Sequence, residues 1–103
     1  MLKSLVEFLG TYFALTSIYY TANKHPKYVA LVVALAFGIA VYLLGDISGN
    51  FNPAVTLMFI LAKKQPISDL FYLIIPQLIA AFAAVNTYKF LIKWFLNYFK
   101  KLF

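Results

Sequence analysis

The sequence predicts an all-α membrane protein with three transmembrane helices and one re-entrant half-helix. Apolar residues make up 64% of the 103 residues and charged residues only 12%, which leaves too little polar surface to cover a soluble domain of this size. Three apolar runs approach the roughly 20 residues that a helix needs to cross a bilayer. A fourth apolar run is about half as long, so as a helix it reaches only halfway across.

The first two transmembrane helices are predicted over residues 5–22 and 28–44, with Pro26 ending the first helix in a short polar loop. The first run contains one ionisable residue, Glu7, and the second contains none. An acid inside the run, with no small-residue cleavage site followed by a polar domain, favours a transmembrane helix over a signal peptide.

The chain then becomes irregular before a third long helix. Residues 45–52 are glycine-rich and predict a loop, and residues 53–62 predict the half-helix. The third transmembrane helix is predicted over 67–90 and contains Pro76, which removes one backbone hydrogen bond that a neighbouring segment must replace. The tail over 91–103 interleaves lysines with aromatic residues, which is typical of an interfacial extension of a helix.

Composition excludes most catalytic chemistry. The chain has one histidine, no cysteine and no pair of carboxylates placed to meet, so we expect neither an enzyme, nor a metal site, nor a cofactor. Nine lysines against three acids give a net charge of +6. Every lysine lies outside the apolar cores or at their ends, so we expect lipid headgroups as partners and no nucleic acid.

The start of the half-helix carries the most informative chemistry. Asn52 is a good N-cap and Pro53 suits the first helical position. A helix N-terminus carries about +0.5 of an elementary charge, and irregular backbone at membrane depth is tolerated where it lines a water-filled cavity. The carbonyls of Gly49, Asn50 and Phe51 can face such a cavity, and the Asn52 amide can donate into it. This pattern predicts a pore that offers hydrogen bonds and repels cations.

Four segments together resemble the aquaporin, or major intrinsic protein, family. They are the Glu-Phe-Leu-Gly-Thr of 7–11, the Gly-Asp-Ile-Ser-Gly of 45–49, the Asn-Pro-Ala-Val-Thr of 52–56, and Gln77 with the alanines at 80 and 81. They occur in the family's order and at close to its spacing, with one residue fewer before Asn52. Members of the family have two such repeats, inverted relative to each other, whereas this sequence has one, of the first-repeat type.

The resemblance implies roles for individual residues. Asn52, Pro53 and Ala54 match the family's pore motif, whereas Glu7 would be a buried acid supporting the loop and Gln77 would help to hold it. The alternative from the residues alone is that Glu7, close to the chain start, extends to the membrane interface.

Three residues are candidates for the selectivity filter. Val55 stands where the family's second repeat usually carries an arginine, and the sequence contains no arginine. The family's aromatic filter position falls on Val33 when counted back from Gly45, and on Phe37 when the Ala-Phe-Gly string is matched. Val33 and Phe37 are four residues apart and share a helix face.

The resulting expectation is a multi-pass integral membrane channel for water or for small neutral solutes such as glycerol, urea or ammonia. Two copies would pair antiparallel as a homodimer, reproducing between chains the inverted repeat common in transport folds. By analogy with the family, four such pores would form a tetramer. A separate second half-repeat is the other partner that the sequence allows.

Two other functions stay open at this level. A dual-topology transporter, resembling the small multidrug resistance type, would use Glu7 as its proton and substrate site. A holin-like small membrane protein also fits the size, the three spans and the basic tail. Dependence of transport on a proton gradient separates the first from a water pore, and the Asn-Pro-Ala segment argues against the second.

Overall fold

A computed structural model describes residues 1–102 of the chain. It contains α1 (Leu2–Lys24), a 3₁₀ turn (Pro26–Tyr28), α2 (Val29–Leu44), α3 (Pro53–Leu61) and α4 (Asp69–Leu102). These described residues form no strand, which agrees with the all-α class that the sequence predicts.

Helix α1 lies between α2 and α4 and packs against both, whereas α3 packs against α4. Helices α1 and α4 run parallel, because Ser4 meets Tyr72 near their starts and the rings of Tyr19 and Tyr88 lie 4.9 Å apart farther along. Alanines at their interface are almost fully buried: Ala14, Ala80 and Ala84. Small side chains there let the two backbones approach closely, as helices in lipid require.

Helix lengths separate the elements that can cross a membrane from the one that cannot. Within residues 1–102, two helices are both long and apolar enough to cross, namely 26–44, which includes the 3₁₀ turn, and α4. The 23 residues of α1 have sufficient length but include the buried polar side chains Glu7, Thr11 and Thr21. The nine residues of α3 rise only about 14 Å, close to half of a hydrocarbon core.

The helix ends differ in places from those expected. Helix α1 extends beyond 5–22 in both directions. Helix α4 begins at Asp69 rather than residue 67 and continues without a break to Leu102. The expected tail over 91–103 is therefore the last turns of α4, and its final residue, Phe103, lies outside the described part. No glycine or proline follows Pro76, so no stop signal interrupts this helix.

The hydrogen bond missing at Pro76 is replaced by α1. Pro76 has no N–H to donate to the carbonyl of Tyr72, four residues earlier. The hydroxyl of Ser4 donates to that carbonyl oxygen at 2.7 Å. The proline is thus accommodated inside α4 by a side chain of the helix packed beside it, as the sequence requires.

Lysines are unequally shared between the two ends of the bundle. The end with the start of α1, the end of α3 and the start of α4 carries Lys3, Lys63 and Lys64, and Lys3 lies 3.9 Å from Asp69 there. The opposite end, called here the lysine-rich end, has six lysines: Lys24, Lys27, Lys89, Lys93, Lys100 and Lys101.

Candidate functional site

Glu7 organises the loop that precedes α3. Its side chain is fully buried, with 0% of its surface exposed, and does not extend to the interface. The Ser48 hydroxyl and the Asn50 backbone N–H donate to Oε2 at 2.6 and 3.0 Å, and the Phe51 backbone N–H donates to Oε1 at 2.7 Å. Hydrogen bonds to a charged acceptor contribute about 1.5–3 kcal/mol each, so one carboxylate fixes three of the four residues from 48 to 51 in the irregular loop.

Gln77 connects the same carboxylate to α3. Its amide nitrogen donates to Glu7 Oε1 at 2.7 Å and lies 3.2 Å from the hydroxyl oxygen of Thr56, a second acceptor. The Asn50 side-chain nitrogen donates to Thr56 at 3.0 Å and to Gln65 Oε1 at 2.8 Å. These bonds join α1, the loop, α3 and α4 in one polar network, and the position of α3 depends on all of them.

Phe51 adopts an unusual backbone conformation at the centre of this loop. Its φ of 53° lies in the left-handed region that side-chain-bearing residues rarely adopt, at a cost of about 1–3 kcal/mol. Its side chain is 98% buried in a cluster with Val6 and Ala40. Burial of a phenyl ring contributes about 1.5–3 kcal/mol, which offsets the strain together with the bond from the Phe51 amide to Glu7.

Two close approaches in the loop depend on glycine. The Phe51 ring occupies the space that a side chain on Gly10 would need, since a Cβ there would lie 2.7 Å from Cδ1 of the ring. A Cβ on Gly49 would lie 3.0 Å from the Cα of Gly45. The loop therefore folds back on the end of α2 and against α1 only where side chains are absent.

The backbone of the loop leaves one type of polar group, the carbonyl, without a hydrogen-bond partner among the described residues. Glu7 accepts the amides of Asn50 and Phe51, but the carbonyls of Gly49, Asn50 and Phe51 accept no hydrogen bond from residues 1–102. Three consecutive acceptors therefore lack a partner in the described chain, two of them on the half-buried residues Gly49 and Asn50 and one on the almost fully buried Phe51. In hydrocarbon, a carbonyl without a hydrogen-bond partner costs free energy unless water or a solute donates to it.

Asn52 begins α3 as its N-cap. Its Oδ1 accepts the backbone N–H of Ala54 at 2.8 Å, and Pro53 occupies the first helical position. Its side-chain nitrogen has no partner in the described part of the chain and remains free to donate. Asn52, Pro53 and Ala54 are exposed, so the half-helix presents its start, with the positive end of its dipole, at an open surface.

The three filter candidates lie in different surroundings. Phe37 is half-buried and packs against the cluster that contains Phe51. Val33, one turn away on α2, has 37% of its surface exposed. Val55, in the first turn of α3, is half-buried.

Sequence reasoning missed several members of this network. Ser48 and Thr56 lie inside the segments that carry the resemblance, and their short hydroxyl side chains next to a buried acid are a usable signal. Gly10 also lies inside one of these segments, and nothing in the local sequence links Gln65 to Asn50. Among residues 1–102 no group of three or more His, Cys, Asp or Glu side chains lies close enough together to hold a metal ion.

Comparisons with known proteins find a matching family model and several similar sequences. The family model described as major intrinsic protein matches residues 2–100. The chain is similar to the glycerol uptake facilitator protein-like 6 of Lactiplantibacillus plantarum, with 39% identity over 89 residues that cover 82% of this chain and 41% of the relative. It is similar to Aquaporin Z of Brucella melitensis, with 38% identity over 92 residues that cover 80% and 40% of the two chains.

A plant relative shows the same pattern. Nodulin-26 of Glycine max is 31% identical over 99 residues, which cover 86% of this chain and 36% of the relative. The chain thus spans well under half the length of these relatives. No solved structure matches the chain.

Proposed function

The chain belongs to the major intrinsic protein family and is an integral membrane protein, and on that premise we propose that it forms a channel for water and small neutral solutes by pairing two inverted half-repeats. The similarity to a protein named as a glycerol uptake facilitator and to one named as an aquaporin supports both solute classes.

The observation that carries this proposal is the start of α3. A nine-residue helix that covers about half of the bilayer begins at an exposed Asn52 with a free amide nitrogen, after three carbonyls without partners in residues 1–102. Hydrogen-bond acceptors, a donor and a helix dipole at one point stabilise a passing polar solute and repel cations. Because α3 covers only about half of the bilayer, a continuous pore requires a second half-helix from the other side of the membrane.

In the proposed topology α1, α2 and α4 cross the bilayer and α3 re-enters it. At membrane depth, Glu7 and Thr56 accept hydrogen bonds from the Gln77 side-chain nitrogen inside the bundle, as polar groups in lipid require. The Gln77 Oε1 is buried without a partner in the described chain. Val55 and either Val33 or Phe37 then form the narrow part of the pore.

A second copy of the chain, in the opposite orientation, is the proposed partner, because it completes the pore with the residues already present. Four such pairs would assemble into a tetramer, by analogy with the family. The lysine distribution, six at one end and three at the other, favours a fixed orientation and supports a separate second half-repeat as the alternative partner.

The transporter alternative is disfavoured by the surroundings of Glu7. Both carboxylate oxygens already accept hydrogen bonds from the loop and Gln77, and none of the side chain is exposed. A carboxylate that binds substrate and protons in turn needs an open path, and here it serves as an anchor.

The test is osmotic shrinkage of liposomes that contain only the purified chain. We expect faster water efflux than in protein-free liposomes and a rate that is unchanged by an imposed proton gradient. Permeability equal to that of protein-free liposomes would contradict the channel, and solute flux driven by the proton gradient would favour the transporter.

The orientation of the copies is tested separately. The chain has no cysteine, so Lys101→Cys reports which side of the membrane the end of α4 occupies. Inverted copies predict labelling of this cysteine from both sides. Labelling from one side only, in cells with channel activity and no partner chain, would exclude the inverted homodimer.

A further inference from the structure

An open groove of about 820 Å³ lies at the lysine-rich end, away from the pore loop. It runs along the last turns of α1 from Phe13 to Lys24, with α2 on one side and the final turns of α4, around Leu91 to Leu96, on the other. Its volume is within the range of about 300–1,000 Å³ typical of small-molecule sites. None of its residues takes part in the Glu7 network.

The groove is lined mainly by apolar side chains and carries a lysine at its mouth, and the hydroxyl of the lining residue Thr16 is buried without a partner in the described chain. The lining hydroxyls of Ser17 and Thr21 donate to backbone carbonyls of their own helix at 2.8 Å, so they present little polarity to the groove. Lys24 lines the end of the groove. Lys89 and Lys93 share the face of α4 that carries the lining residues Ile92 and Leu96, by helical spacing.

Aromatic residues indicate how deep in the membrane the mouth of the groove lies. Tyr20 and Tyr88 line the groove and lie 6.3 Å apart between ring centroids, and Trp94 stacks on Tyr98 nearby. Tyrosine and tryptophan concentrate at the level of lipid headgroups. The groove therefore enters one leaflet from the headgroup level, with its lysines where phosphates lie.

No acidic side chain among the described residues lies at the lysine-rich end. Within residues 1–102 the only ion pair joins Lys3 to Asp69 at the opposite end. Asp46 lies beyond the far end of α2, and Glu7 is enclosed by the pore loop. A ligand that matches both features must have an apolar chain and an anionic head.

We propose that this groove binds an anionic phospholipid, with its acyl chains along α1 and its phosphate between Lys24 and Lys93. The lipid thereby fills the space between α2 and residues 91–96 of α4. This site does not depend on the proposed pore, because it shares no residue with the loop or α3.

The single tryptophan, Trp94, lies in the same helical turn as the lining residues Ile92 and Phe95 and serves as the reporter. The chain is reconstituted into phosphatidylcholine vesicles containing either brominated phosphatidylglycerol or brominated phosphatidylcholine at equal fractions. We expect stronger quenching by the anionic lipid. Lys24→Gln with Lys93→Gln should lower that preference, about fivefold for each lysine, whereas Lys63→Gln with Lys64→Gln at the other end should not change it.

Filling the groove tests the acyl-chain part. Val32→Phe, at a lining position, should reduce quenching by the anionic lipid while leaving water permeability unchanged. Equal quenching by both lipids, or a preference unaffected by the Lys24 and Lys93 changes, would overturn the proposal. A preference that survives Val32→Phe would leave only headgroup attraction at the surface and also overturn it. Weak quenching by both lipids would indicate that protein, such as a second copy, covers the groove.

Discussion

The ring of Phe51 packs directly against the backbone of Gly10, so the pore loop and α1 meet with no side chain of α1 between them. The contact holds a residue of positive φ in place and lets its amide reach Glu7, one turn earlier on the same helix. A loop of free carbonyls is thereby attached to α1 through one ring and one carboxylate.

Replacing Gly10 with alanine should disrupt this contact. The added methyl group overlaps the Phe51 ring, and overpacking of this kind typically costs about 1–3 kcal/mol. We expect a lower thermal unfolding midpoint in detergent and reduced water permeability. Gly38→Ala is the matched control, because no atom lies within 4 Å of a Cβ there, and it should stabilise the helix slightly. Equal behaviour of the two variants would contradict the packing described here.

Glu7→Gln should loosen the loop without changing the size of the side chain. Glutamine offers one acceptor oxygen where the carboxylate offers two, and its NH₂ faces groups that themselves donate. Each donor left without a partner costs about 1–3 kcal/mol, so we expect a marked loss of stability and of water flux. Asp46→Asn, which neutralises an exposed acid, should leave both unchanged. Wild-type stability and flux in Glu7→Gln would show that the network does not hold the loop.

How well the sequence predicts each interaction of this site depends on how far apart the two residues are along the chain. The start of α3 at Asn52 follows from local capping chemistry, and the bond missing at Pro76 is evident from the residue itself. The contact between Glu7 and Phe51 joins residues 44 positions apart, and periodicity contains no information about it. The resemblance to a family indicates that Glu7 supports the loop, but it does not say which atoms it binds.

The backbone conformation of Phe51 was beyond local reasoning for a physical reason. A phenylalanine with positive φ is unfavourable by its own propensity, so only the tertiary space at Gly10 makes it acceptable. The tail over 91–103, predicted as an interfacial extension of the third transmembrane helix, is helical as far as Leu102, because backbone hydrogen bonding does not stop at the membrane surface.

Two substitutions of Asn52 distinguish its role as an N-cap from its role as a solute contact. Asn52→Ala removes the cap, at about 1 kcal/mol, and also the free amide donor, so water flux should fall or ions should leak. Asn52→Asp keeps the cap but replaces the donor with a negative charge, so the fold should remain and cation leak should appear. Ion currents and osmotic shrinkage in liposomes measure both effects. If either variant conducts as the wild type does, without leak, Asn52 does not contact the solute.

Val55 should set the width and polarity of the filter. Valine offers neither a donor nor a charge, so cation exclusion then depends on the two half-helix dipoles, each about half a charge. We expect the wild type to pass glycerol as well as water, and Val55→Arg to reduce glycerol flux more than water flux. Val55→Leu, which adds bulk without charge, is the control. Strict water selectivity in the wild type, or no effect of the arginine, would remove Val55 from the filter.

The inverted meeting of two half-helices is tested most directly by disulfide cross-linking of Ala54→Cys in liposomes that contain only this chain. Ala54 is exposed at the start of α3, so in an inverted pair two such cysteines approach to the 4.4–6.8 Å between Cα atoms that a disulfide typically needs. The two cysteines of Leu61→Cys, at the other end of α3 in each copy, then lie in opposite leaflets, about 20 Å or more apart. We predict a cross-linked dimer for Ala54→Cys and none for Leu61→Cys. Cross-linking of Leu61→Cys, or no cross-linking of Ala54→Cys in conducting liposomes, would contradict a pore made of two inverted copies.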